Sequence, residues 1–146
     1  MNDKRPTLYD ELDQEFFLFL WRVKDGAARL FRPLGLRPEQ AFILEMVARG
    51  IAHPKELAEA MQLDPSLLSH YLAKVEDAGW IERELDPEDR RRTRLKLTDE
   101  GKQLLEAAHE AWRAYTVRVL SEFEPDEIET LRVFLKKIMR AQEAQA

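Results

Sequence analysis

The chain contains no cysteine, which excludes disulfide bridges, thiolate metal sites and thiol-based redox switching together and makes a reducing cytoplasm the expected location. Histidine is scarce, and the scatter of His53, His70 and His109 offers no zinc-ligand spacing. Glu106 and His109 stand three apart, as in half of a carboxylate-bridged di-iron motif, but no second copy accompanies them. Glycine-rich phosphate loops, a G-x-S-x-G elbow and an H-E-x-x-H motif are all missing. Neither an enzyme nor a bound cofactor or metal is therefore expected. Long apolar runs are missing too. The longest, Phe16 to Trp21, falls far short of the roughly 20 residues that span a bilayer. The opening "MNDKRPTLYDELDQ" lacks the apolar heart of a signal peptide, so no membrane is expected as a partner.

What is present is charge, at 35% of 146 residues with a formal net of −5. That length suits one domain with helical extensions better than two domains. An even spread of acidity would argue against nucleic acid, yet binding depends on where cations cluster. In "DPEDRRRTRLKLT", five cations lie between Arg90 and Lys96 without one carboxylate among them. Two readings compete: a positive pole made of Arg90, Arg91, Arg92, Arg94 and Lys96, or a solvated hairpin whose cations pair with Glu82, Glu84, Glu88 and Asp89.

Periodicity decides what surrounds this cluster. Leu12, Phe16, Leu20, Val23, Ala27 and Leu30 recur every three or four residues, predicting a helix from Leu8 to about Phe31 that Pro33 and Gly35 end. "FFLFLW" circles that helix at about 100° per residue, more apolar surface than one small domain easily covers. A central core helix is one reading; a helix packed on its own domain and on a second subunit is the favoured one. A second helix is expected over Pro38 to Ala48 with Ala41, Ile43, Leu44 and Val47 buried. A third runs from Pro54 to near Met61, and a fourth from Pro65 to about Ala78, with Asp64 as N-cap and Gly79 as the stop. The turn between these last two makes a helix-turn-helix. "WIERELD" and "TRLKLT" then alternate as strands of a hairpin, Leu95 and Leu97 facing one side, Arg94 and Lys96 the other. Thr98 caps a long helix through Leu104, Leu105, Ala108, Trp112, Tyr115, Val119 and Phe123, and Pro125 opens a last one.

A helix-turn-helix followed by a hairpin is a winged helix, mainly α with a small β wing. An arginine-rich wing suits the negative potential of DNA's minor groove and its flanking phosphates. "DRRRTRLKLTDEG" resembles the wing signature of the MarR family of bacterial transcription regulators, in which Asp-x-Arg, a basic residue and an aliphatic precede Leu-Thr-x-x-Gly. Asp89, Arg91, Arg94, Leu95, Leu97, Thr98 and Gly101 fit it. "LRPEQAFILEMVA" and "HPKELAEAMQLDPSLLSHYLAKVEDAGWIER" fall in the family's order, so the likeness covers about Leu36 to Leu105.

The resemblance implies a homodimer in which residues 1–34 and 99–146 are dimerisation helices and residues 35–98 a winged helix-turn-helix DNA-binding lobe. It implies double-stranded DNA as partner, through a pseudo-palindromic operator. Arg91 would enter the minor groove, with Asp89 bracing the wing through its neighbouring arginines, Arg90, Arg92 and Arg94 beside it, and the Pro65–Ala78 helix in the major groove. Period alone buries Leu68, Leu72 and Val75 on that helix and presents Ser66, Ser69, His70, Ala73 and Lys74. Leu67 and His70 stand where the family commonly has a hydroxyl residue and an arginine, which implies either weaker base readout in the major groove or readout leaning on apolar contact with thymine methyls. His53 is a poor N-cap for Pro54, at a cost of about 0.5 to 2 kcal/mol unless another group serves. A small aromatic or anionic effector is also implied, for which Phe17, Trp21, Arg22, Trp112 and Tyr115 are the candidate residues. The competing reading keeps the winged-helix dimer but makes it a protein interaction module that binds through its acidic surface.

Overall fold

A computed structural model describes residues 5–144. The elements follow in the order α1 Arg5–Phe31, a single 3-10 turn Arg32–Leu34, α2 Pro38–Ala48, α3 Pro54–Met61, α4 Pro65–Asp77, β1 Ile81–Leu85, β2 Thr93–Leu97, α5 Asp99–Val119 and α6 Pro125–Glu143. This is a mainly α chain with one antiparallel hairpin, the winged helix-turn-helix expected above. It divides into two compact units, one up to Ala111 and one from Trp112 onward.

In the first unit, local chemistry sets the helix boundaries. Pro38, Pro54 and Pro65 each begin a helix, where a missing N–H costs nothing. Asp64 caps α4 by accepting the Ser66 amide at 2.8 Å. Gly79, at φ 75°, ends the helix in the left-handed region. Helix α3 stops without a glycine: Gln62 itself adopts φ 51°. Gln40 is buried in α2, and its Oε1 accepts the Arg37 amide at 2.9 Å, so its polar head is satisfied.

The core sits where these helices meet the hairpin. Ile43 and Leu44 of α2, Leu57 of α3, Leu68, Leu72 and Val75 of α4 and Leu95 of β2 are essentially inaccessible to solvent. Each contributes about 1.5 to 3 kcal/mol through burial. Phe31 from α1 and Leu105 and Ala108 from α5 close the same cluster. Strand register pairs Ile81 with Leu97, Arg83 with Leu95 and Leu85 with Thr93. The Leu95 amide also donates to the Ala52 carbonyl at 2.7 Å, attaching the α2–α3 segment to the free edge of β2. The sheet is thereby anchored to the entrance of the helix-turn-helix.

Helix α1 is divided by burial. Ala27, Leu30 and Phe31 pack on the core, whereas Leu8, Leu12 and the whole Phe16–Trp21 run are exposed. In the second unit α5 ends at Val119 rather than continuing to Phe123, because a turn closed by the Phe123 amide on the Leu120 carbonyl precedes Pro125. No residue of α6 is buried, and Phe134, Leu135, Ile138 and Met139 lie 39–54% exposed. Among the described residues, no helix is long and apolar enough to cross a membrane.

The start of α5 is pressed against the start of β1. Thr98 donates its amide to the Trp80 carbonyl and its hydroxyl to the Gly79 carbonyl, and its Oγ1 accepts the Gly101 amide at 3.0 Å. A Cβ on Gly101 would lie 2.0 Å from the Trp80 carbonyl oxygen, a backbone atom that cannot rotate away. Gly101→Ala is therefore expected to destabilise the fold by about 1 to 3 kcal/mol or more, read as a lowered urea midpoint with circular dichroism. An unchanged midpoint would show that the helix–strand junction yields freely.

Candidate nucleic-acid interface

Helix α4 presents its outer face because its inner face is fixed. Leu68, Leu72 and Val75 are buried and Tyr71 is half-buried. Ser66, Leu67, Ser69, His70, Ala73 and Lys74 are all exposed, as the helical period predicts. The two serines are not equally free. Ser66 donates its hydroxyl to Asp64 Oδ1 at 2.6 Å, so it belongs to the cap, where it helps hold the Asp64 carboxyl below its ordinary range. Ser69 donates to the Pro65 carbonyl at 2.8 Å and keeps its oxygen lone pairs outward. Leu67, at 42% exposure, is the one large aliphatic on this face and offers an apolar contact.

The structure separates the wing's cations into two groups. Arg94 donates to Glu84 through Nε at 2.7 Å, and Lys96 reaches the other oxygen of the same carboxylate at 3.4 Å. Bonding from Arg94 accordingly holds Glu84 below the usual carboxylate range. Arg92 reaches Glu56 of α3 at 3.4 Å. Arg90 and Arg91, at the tip, have no carboxylate partner among the described residues. Pairing thus takes the base of the hairpin, whereas the two guanidinium groups at the tip are not paired with a carboxylate. Asp89 accepts the main-chain amide of Arg91 through Oδ1 at 3.0 Å, not a neighbouring guanidinium.

Two residues read from sequence as a turn former and a weak cap take a larger part. Asp86 is 9% exposed, and its Oδ1 accepts the amides of Glu88 at 2.8 Å and Asp89 at 3.3 Å. Its Oδ2 lies 2.9 Å from Nε2 of His53. His53 makes no side-chain cap to α3; its Nδ1 faces the Thr93 carbonyl at 3.3 Å instead. These positions lie 33 residues apart, and no local pattern announces the pairing. The one clue in the sequence is a poor N-cap where a better one would serve.

The candidate effector residues fall in both units. Phe17 and Trp21 are exposed at 69% and 62%, and Arg22 is exposed beside them on α1. In the second unit the rings of Trp112 and Tyr115 lie 5.6 Å apart, and the Arg118 guanidinium stands 5.8 Å from the Tyr115 ring centre. His109 belongs to no metal cluster among the described residues. Its Nε2 meets Glu45 at 2.7 Å, and Glu45 also accepts from Arg49. Burial pushes the Glu45 carboxyl up, but these bonds outweigh it and leave it below its ordinary value.

The Glu88 amide, then that of Asp89, together with nearby positive charge, hold the Asp86 carboxyl below its ordinary value despite burial. Its contribution to the wing is thus complete above about pH 4, the ordinary aspartate range, and lost as pH falls through the lowered folded value. In an NMR titration, the amide shifts of Glu88 and Asp89 are expected to move together with a midpoint below that range. A midpoint at or above it would remove Asp86 as the anchor of the tip.

Comparison with known proteins fits this geometry. The MarR family model matches residues 34–92. The multiple antibiotic resistance protein MarR of Salmonella typhimurium is 30% identical over 109 residues, 73% of this chain and 76% of that protein. Among solved structures, a mutant MarR from E. coli complexed with operator DNA superposes with a TM-score of 0.74 at 24% identity, covering 90% of this chain and 97% of that one. The S. aureus MepR–DNA complex gives 0.72 at 22% identity, covering 87% and 93%. The helix-turn-helix, the hairpin register and this likeness to full-length relatives together establish that the chain belongs to the MarR family.

Proposed function

We propose that this protein is a sequence-specific DNA-binding transcription regulator that acts as a homodimer, a repressor rather than an activator. One observation carries the reading: a single compact unit presents both the exposed polar face of α4 and an arginine pair, Arg90 and Arg91, without carboxylate partners among the described residues. Ser69, His70 and Lys74 supply donors and acceptors for base edges or phosphates, and Leu67 suits a thymine methyl. Arg90 and Arg91 fit a narrow minor groove, while Arg92 and Arg94 are half-engaged and serve flanking phosphates. Two fold relatives whose structures contain DNA, E. coli MarR and S. aureus MepR, add support.

The homodimer rests on apolar surface. The exposed run of α1 and the uncovered faces of α5 and α6 exceed what a soluble monomer presents. Residues 1–34 and 99–146 would carry this interface and residues 35–98 the DNA-reading lobe, with α5 also contributing to the lobe's core. Two lobes would read half-sites about 10 base pairs apart. A small aromatic or anionic effector would act as the release signal. Within the first unit Arg22 with Phe17 and Trp21, and, separately within the second, the Trp112–Tyr115 pair beside Arg118, each offer flat apolar walls and a cation of the kind such a molecule needs.

Two measurements test this. Arg91→Ala is expected to weaken operator binding by about 1 to 3 kcal/mol at fixed salt, leaving the fold unchanged. Wild-type affinity itself should drop by powers of ten between roughly 50 and 200 mM salt. Equal binding by the variant, or salt-insensitive association with protein and none with duplex, would favour the interaction-module reading. Leu135→Asp on α6 is expected to halve the mass seen by sedimentation and abolish operator binding. A wild-type monomer would overturn the dimer.

A further inference from the structure

We propose that His53 is a positioning residue for DNA binding: a ring protonated at both nitrogens ties the wing tip to the start of the helix-turn-helix. The inference rests on the reading of Arg90 and Arg91 as DNA contacts. Its basis is the direction of two hydrogen bonds. Nε2 of His53 faces Asp86 Oδ2 at 2.9 Å, and Nδ1 faces the Thr93 carbonyl at 3.3 Å. Carboxylate and carbonyl oxygens only accept, whereas a neutral imidazole has a single N–H. Either neutral tautomer leaves one nitrogen lone pair against an oxygen lone pair, and a flipped ring would turn C–H groups to both oxygens. Only the doubly protonated ring satisfies both contacts, and it supplies a positive charge beside a carboxylate that is ionised.

The site is sheltered enough for this to matter. The His53 and Asp86 side chains are 16% and 12% exposed, so water does not readily replace a lost bond. Other charges surround the pair. Arg94 acts on Asp86 from β2, and Arg92 bridges to Glu56 of α3 on its flank. Lys55 follows on α3 and faces solvent, while Glu88 and Asp89 meet Asp86 through their amides. Among the described residues, Asp86 is the carboxylate in contact with the ring.

From His53 a continuous path leads to the tip. The ring holds one oxygen of Asp86; the other oxygen holds the amides of Glu88 and Asp89. Asp89 in turn holds the amide of Arg91, and the Asp86 amide donates to the Arg92 carbonyl at 3.0 Å. At its other end the path begins at the residue preceding Pro54, so the backbone that carries Arg91 is registered against α3 and, through α3, against α4. A wing fixed in this way meets the duplex with little ordering left to do. Once the ring gives up a proton, the remaining N–H stays on Asp86, but the Nδ1 lone pair then opposes the Thr93 carbonyl and the charge attraction to Asp86 is lost, so the hold on the wing loosens. The proton thus belongs to the DNA-gripping state, and its contribution is present at the acidic end and lost as pH rises.

Operator affinity measured by fluorescence anisotropy at constant salt, from about pH 6 to pH 8.5, the interval around imidazole titration, tests this. Wild-type protein is expected to weaken by about three- to tenfold across the range, the equivalent of one ordinary hydrogen bond. His53→Gln, whose amide donates at every pH, should bind with a flat profile. His70→Gln, which alters the recognition helix, should bind more weakly but keep the wild-type slope. An undiminished slope in His53→Gln overturns the proposal. Imidazole nitrogen NMR of the DNA-free protein is an independent test: both His53 nitrogens should carry protons at the acidic end, and a neutral tautomer there refutes the latch. If no duplex is bound at any pH, the DNA-binding reading fails, and the ring spectrum still decides the latch.

Discussion

The burial of one stripe of α4 is the constraint on which the rest of the molecule depends. Leu68, Leu72 and Val75 are each at most 2% exposed and meet α2, α3 and the hairpin in a shared core. At 100° per residue, committing these three positions leaves Ser66, Ser69, His70, Ala73 and Lys74 no orientation but outward. The lobe does not select an outward face separately; close packing on one side dictates it on the other. Rotating the helix by one residue toward Lys74 would bury that ammonium without a partner and expose Leu68, a cost of several kcal/mol that no surface bond recovers.

The wing needs a different kind of constraint, because a two-stranded hairpin has little core of its own. Leu95 and Leu97 anchor its base in the apolar cluster, and the Leu95–Ala52 bond anchors its edge. Beyond them the chain is held by polar groups alone. Asp86 organises that part, since a carboxylate accepts several bonds at once and its two oxygens point to the tip and to α3. Rigid apolar packing therefore positions the outward face of α4, and directional hydrogen bonding positions the arginines of the tip. The two parts of the proposed interface would consequently respond differently to pH and salt.

Much of this was legible in the sequence, for identifiable reasons. The bounds of α2 and α4 followed from Pro38, Pro65, Asp64 and Gly79, local signals whose chemistry acts within a turn. The buried residues of α2 followed from period, and the hairpin from alternation. Period alone carries α5 past its end at Val119, because Leu120 and Phe123 continue an apolar spacing across a turn closed by backbone bonds that period does not register. The division of the wing's cations was also beyond reach. Glu84 is ten residues from Arg94 in sequence but directly across the hairpin, and Glu56 meets Arg92 only through the tertiary fold. The His53–Asp86 pair belongs to the same class: side-chain partnerships between distant segments leave no periodic trace.

Charge segregation resolves the conflict between an acidic chain and a nucleic-acid partner. From Pro65 to Leu97 the seven cations, Lys74, Arg83, Arg90, Arg91, Arg92, Arg94 and Lys96, are balanced by seven carboxylates, so the net −5 lies wholly in the flanking segments. Within the balanced segment four of the seven carboxylates hold structural partners. Glu76 takes Arg83, Glu84 takes Arg94 and Lys96, Asp86 takes His53, and Asp89 holds a backbone amide. The consequence is local rather than global: Arg90 and Arg91 have no carboxylate partner among the described residues, so their guanidinium groups stay available at the tip. A surface of this kind attracts a polyanion at close range while its acidic flanks oppose loose, nonspecific association. Such a balance favours a partner that fits the tip and the α4 face together over one that merely carries negative charge.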